Sequence, residues 1–270
     1  MLGDSFAEGH GVARADRLSD LLEARTGIEH LNFGTSGSFG TVQQWLYYQE
    51  YASKYDHSDV VILILPANDF DDNDINKWSR KIYRPYLRET DSGYEVYYPV
   101  TFDDRDTSSR STMAVIKNTI ENNVYLLNAI RWGLHVYKKK TTGGKPLITI
   151  DDTPTYSDYS ADDMAMMKHA LGEIARIAAD RNVYLVTVPT ERDATAAQES
   201  GYSFPLVDEL GEFADGIDNV EYIDLLPSFL SYMHENNISY DEFTLGCNRH
   251  WGALGNKVAS DVVFEALYKD

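Results

Sequence analysis

Four residues have the chemistry of acyl transfer, three at what read as strand ends and the fourth just before the last helix. Ser5 lies in "LGDSF" (Leu2–Phe6), Gly37 in "NFGTSGSFGT" (Asn32–Thr41), Asn68 in "PANDF" (Pro66–Phe70) and His250 in "NRHWGALGN" (Asn248–Asn256). Acyl transfer needs a hydroxyl nucleophile, a base within hydrogen-bond reach, and donors aimed at the developing oxyanion. A serine between a strand end and a helix start can expose its hydroxyl and its backbone N–H together. Gly37 has no Cβ, so its N–H can approach a ligand closely. Asn68 offers a side-chain NH2 donor, and His250 is the candidate base. Each has a plainer role when taken singly. Gly-Asp-Ser is commonly a turn, Gly37 can supply a positive φ, Asn68 can close a turn through its side chain, and His250 can pack beside Trp251. Together, in this order, the four form a far more specific pattern.

The elements that must position them are legible as apolar periodicity. Ile28–Phe33 reads as a short strand and Asp59–Leu65 as a fully buried one. Val183–Val188 and Val220–Leu225 read as two more. Helical spacing covers Asp16–Arg25, Thr41–Lys54, Ala161–Asp180, Pro205–Ala214 and Gly252–Tyr268. Gly27 is a stop signal, and Ser160 or Asp162 is a start signal. Continuous apolar strands alternating with amphipathic helices predict a parallel sheet covered on both faces, a three-layer α/β/α domain. Ligands of such folds sit beyond the carboxyl ends of the strands.

Residues 71–146 interrupt the alternation. Lys81–Pro99 predicts a Tyr-rich hairpin turning at Asp91-Ser92-Gly93. Thr112–Tyr137 predicts a long helix, and Lys138–Lys145 a basic loop. The segment reads as an insertion, either a cap over the site or decoration on an edge. Asp71, Asp72 and Asp74 read as its exposed, acidic start, and Asp69 as a local support. The aromatic stretch Trp78–Tyr98 suits sugar stacking or cross-strand packing, with packing the better fit.

The four blocks "GDSF", "NFGTSG", "PANDF" and "HWGALGN" resemble, in order, those of the SGNH/GDSL hydrolase superfamily. The resemblance runs from Gly3 to the last helix. It implies a flavodoxin-like sandwich with a central parallel sheet of about five strands. It implies a serine esterase acting on small O-acyl esters, with carbohydrate O-acetyl groups among them, and needing no cofactor. Position by position, Ser5 would be the nucleophile and His250 the general base. The Ser5 and Gly37 backbone N–H groups and the Asn68 side chain would form the oxyanion hole. An O-acyltransferase using the same acyl-enzyme fits the blocks equally well. The Gly-x-Ser-x-Gly elbow of the α/β-hydrolases is absent.

Two departures stand out. The family usually carries an Asp two or three residues before the histidine, where this chain has Asn248 and Cys247. In serine proteases the comparable Asp-to-Asn change lowers turnover roughly 10⁴-fold. Either Asn248 orients His250 in a slower enzyme, or another carboxylate such as Asp241 substitutes, or the fold is retained for binding without catalysis. The second departure is the start. A buried strand spans about five residues, yet only Met1 and Leu2 precede Gly3. Either the first strand is very short or its upstream part, with any export signal or anchor, lies outside this chain.

Composition narrows the partners. Across 270 residues, 43% are hydrophobic and the net charge is −19. The chain is expected to be globular and soluble, and its field opposes a nucleic-acid backbone or an anionic membrane surface. Cys247 is the single cysteine, so no internal disulfide forms. No apolar run of spanning length occurs. Gly9-His10-Gly11 lacks the third glycine of a dinucleotide loop, because position 14 is Arg. No His-Glu-x-x-His pattern occurs, so no catalytic metal is expected. "DFDDNDIN" (Asp69–Asn76) lacks the glycine and terminal Glu of a calcium loop and reads as a solvated acidic loop.

Overall fold

The computed structural model describes residues 1–77, 83–91, 93–100, 153–246 and 248–269. Contacts divide the chain into two compact units, Met1–Tyr98 with Thr153–Asp270, and Pro99–Asp152. Every element named below belongs to the first unit. The predicted helix Thr112–Tyr137, the predicted loop Lys138–Lys145 and Cys247 lie outside the described residues.

Three strands form the sheet centre. They are β1 (Asp59–Ile64), β4 (Asn182–Thr187) and β5 (Val220–Asp224), in the order β1-β4-β5 and all parallel. β1 is buried from Val60 onward, which is why its sequence is apolar without alternation. Two further segments extend the ladder without forming regular strands. Leu2 bridges Ile62 in parallel, its N–H donating to Val61 O at 2.7 Å. Beyond it, the Met1 amine donates to Leu31 O at 2.8 Å. Phe33 N–H donates to Met1 O at 2.9 Å, and Thr35 N–H to Gly3 O at 3.0 Å. The lanes therefore run 31–35, 1–3, β1, β4, β5, the flavodoxin-like order. The strand expected at Ile28–Phe33 is corrected by this pairing. Ile28 is 53% exposed, and the backbone bonds fall on 31–35.

Helices cover the sheet on both faces. α2 (Leu18–Thr26) packs on α9 (Ala253–Tyr268), which also meets α8 (Leu226–Asn236). α3 (Thr41–Glu50) and α4 (Pro66–Asn73) pack on α5 (Ala161–Ile177). α2 ends at Gly27, in left-handed backbone. Ser160 is the α5 cap, exchanging bonds with Asp163 in a capping box. α6 (Glu191–Ser200) and α8 are helices that periodicity did not indicate, and α7 (Pro205–Asp215) lies between them.

The hairpin forms as its alternation predicts. β2 (Tyr86–Thr90) and β3 (Gly93–Tyr97) pair antiparallel, from Tyr86 opposite Tyr97 to Thr90 opposite Gly93. Its aromatic side chains mainly pack. Tyr86 is fully buried, and Tyr94 meets the His169 ring with centroids 5.2 Å apart.

One reading is overturned. The acidic stretch after β1 is not a solvated loop but α4. Pro66 is its first residue, pre-set for a helix start and lacking only an N–H that would go unused. Asp69, Phe70, Asp72 and Asn73 form its buried face. Asp72, expected to be exposed, is 1% exposed. Arg84, at the base of the hairpin, makes that burial tolerable. Its Nη1 lies 2.9 Å from Asp72 Oδ1, and its Nη2 donates to Asp72 O at 2.7 Å.

Candidate active site

Ser5 is held by the turn from the first lane into α1 (Ser5–Glu8). Gly3 makes that turn at φ 146°, where a Cβ would lie 2.7 Å from Ala7 Cβ. Asp4 follows, buried, and accepts a bond from Phe6 N–H at 2.9 Å through Oδ1. This is an N-cap, and it sets Ser5 as the first helical residue, half-exposed at the carboxyl edge of the sheet.

His250 comes from the other end of the chain. Thr244 and Trp251 form an antiparallel bridge, and Leu245 N–H donates to His250 O at 2.8 Å. Trp251 is buried, stacked on Phe229 and edge-on to Phe6. These contacts fix the turn that presents the imidazole just before α9.

The two side chains meet. His250 Nε2 lies 2.8 Å from Ser5 Oγ. Nδ1 lies 3.2 Å from Asn248 Oδ1. The backbone N–H of His250 donates to the same Asn248 oxygen at 3.0 Å. A backbone N–H can only donate, so the atom facing it is the amide oxygen rather than the nitrogen. Nδ1 must then carry its proton, which leaves Nε2 as the acceptor for the Ser5 hydroxyl. Asn248 thus selects the tautomer a general base requires, without adding charge. Asp241 is exposed in a short 3-10 helix (Tyr240–Phe243), and its backbone carbonyl accepts from Thr244. Burial, with His10 adding to it and Glu8 opposing, lowers the His250 pKa below its ordinary value.

The expected oxyanion donors differ in state. Gly37 sits at φ 93° with open space around the position of a Cβ. That positive φ is by itself a sufficient reason for glycine. Among the described residues, no protein acceptor takes the Ser5 or Gly37 N–H. Asn68 is engaged. Its Nδ2 donates to Asp4 Oδ2 at 3.1 Å and more weakly to Asp72 Oδ2 at 3.4 Å. Its Oδ1 is buried without a partner. Asp69, the expected local support, accepts from Leu65 N–H at 2.8 Å through Oδ2 and is fully buried. Burial and the neighbouring Asp4 and Asp72 raise its pKa well above the carboxylate range. Burial also raises Asp72 to about 6, against the pull of Arg84.

Ser5, His250 and Asn248 are therefore brought into contact, and Asn68 is tied to the Asp4 that caps the Ser5 helix. Sequence reasoning missed Asp72, Arg84 and the Asp4 cap. Only Asp4 carried a signal, an Asp immediately before a short apolar turn.

No family model matches the chain, and no curated protein matches it. Similar solved structures include the following two. One is a member of the lipolytic protein G-D-S-L family from Veillonella parvula DSM 2008, at 12% identity and a TM-score of 0.48, covering all of this chain and 97% of that one. The other is a carbohydrate esterase whose active site displays divergent catalytic and non-catalytic binding functions. It is 12% identical with a TM-score of 0.43, covering all of this chain and 67% of that one.

Proposed function

We propose that the protein is a serine ester hydrolase that cleaves small O-acyl esters, acetyl esters of carbohydrates among them, through an acyl-enzyme on Ser5. The observation that carries the reading is the 2.8 Å contact between Ser5 Oγ and an accepting His250 Nε2. As Oγ bonds to the ester carbonyl carbon, its proton passes to Nε2. The carbonyl oxygen becomes an oxyanion, and the Ser5 N–H, the Gly37 N–H and Asn68 Nδ2 donate to it. Asn68 serves by giving up the weaker 3.4 Å contact to Asp72 while keeping Asp4. Collapse breaks the bond to the leaving oxygen, which takes the proton from Nε2 and departs as the alcohol. Water, deprotonated by the same nitrogen, then releases the acid and restores Ser5.

The test is hydrolysis of p-nitrophenyl acetate by the wild type and by Ser5→Ala. Loss of a nucleophile lowers kcat by roughly 10³-fold or more. Equal rates would remove Ser5 from the chemistry. A wild type without turnover would favour a binding protein that keeps the fold.

A further inference from the structure

His250 has ring neighbours as well as hydrogen-bond partners. The Phe6 ring centroid lies 5.3 Å from the imidazole, and that of His10 lies 4.7 Å away with an interplanar angle of 48°. Both come from the structure that carries Ser5. Phe6 follows Ser5 in α1, and His10 N–H donates to Ser5 O at 3.0 Å just past the helix end. Phe6 is buried and packs edge-on to Trp251, so its position is set by the core. His10 is exposed. It belongs to the Gly9-His10-Gly11 stretch that fits no nucleotide loop.

A neutral Asn248 restrains an imidazolium less than a carboxylate would. Ring contacts then carry a larger share of holding Nε2 toward Ser5. They also bring a second titratable ring against the base. The groups acting electrostatically on His250 are His10 and Glu8, both from α1 and its end and opposite in effect. On the turn itself, Arg249 is exposed and Asn248 is uncharged. A protonated His10 opposes the imidazolium that forms in the transition state, whereas a neutral His10 does not.

We propose that His10 is a positioning residue for His250. Its ring holds the imidazole toward Ser5, and its charge state sets how readily His250 accepts the proton. The proposal rests on the hydrolase reading above. The experiment compares His10→Phe, which keeps a ring without charge, with His10→Ala, which keeps neither. The readouts are p-nitrophenyl acetate kinetics from about pH 5 to 9 and the NMR titration of the His250 ring. In His10→Phe, the acid limb of kcat/KM and the His250 titration both move to higher pH. In His10→Ala, kcat at the alkaline plateau falls about tenfold below that of His10→Phe, with KM moved less, as misplacement of a base predicts. An unmoved His250 titration in His10→Phe, or equal kcat in the two variants, overturns the proposal. The NMR titration is read without turnover. A wild type that is active, and inactivated by Ser5→Ala, beside His10 variants that titrate like wild type would sink this proposal alone. An inactive wild type would sink both.

Discussion

His250 meets a neutral oxygen where a carboxylate would supply charge: Asn248 Oδ1 stands 3.2 Å from Nδ1. That oxygen orients the ring and fixes the tautomer, but it stabilises the imidazolium only as a dipole. Asn248→Asp should therefore raise kcat/KM on p-nitrophenyl acetate. The gain should be about tenfold, well short of the roughly 10⁴ of a buried protease carboxylate, because residue 248 is exposed and water screens it. The same change should move the acid limb. Burial and His10 lower the wild-type His250 pKa below its ordinary value, so under the proposed function the acid limb of the wild type should lie below the ordinary imidazole value. A carboxylate at 248 favours the protonated ring and shifts that limb to higher pH. A pH profile of the variant identical to wild type would mean that residue 248 does not act on the base.

At the scale of elements, α4, the base of the hairpin and α1 are joined by one chain of contacts, buried at Asp72 and Asp4 and half-buried at Asn68. Arg84 meets Asp72, Asp72 meets Asn68, Asn68 meets Asp4, and Asp4 caps α1. Arg84 also donates to Gln43 Oε1 on α3 at 2.9 Å. Removing the cation leaves the Asp72 carboxylate buried and uncompensated. Arg84→Met should cost about 3 kcal/mol of stability in denaturant unfolding, as breaking one side of a buried pair does. The double variant Asp72→Asn with Arg84→Met should recover part of that loss. No recovery would show that the pair is not what holds the segment. This chain of contacts was beyond sequence reading for a physical reason. An aspartate in "DFDDND" reads as solvated, and only a tertiary partner twelve residues later makes its burial tolerable. The central strands were legible because continuous apolar runs such as Val60–Leu65 have few alternatives. Ile28–Phe33 misled because a short, half-exposed segment can pair through only a few of its residues. α6 escaped notice because the buried side of "ERDATAAQES" is Asp193, Ala194 and Ala197, with no large apolar residue to set a period.

At the scale of the molecule, parallel lanes bring distant sequence together. The segments 31–35, 1–3 and β1 are neighbours running the same way, so the residues after each emerge at one edge of the sheet. That is where Ser5 and Asn68 stand, and the turn before α9 brings His250 back to the same edge across 245 residues of sequence. The candidate positions were therefore legible as four blocks, while their state was not. That Asn68 is engaged by two carboxylates, and that His10 lies against His250, are facts of packing. The arrangement makes one claim above the others, that the Ser5 hydroxyl is activated by His250. The most direct measurement is covalent labelling of the intact protein with a fluorophosphonate probe, followed by peptide mass spectrometry. The account predicts an adduct on Ser5 that is lost in His250→Ala. No adduct, an adduct on another residue, or labelling that persists without His250 would contradict it.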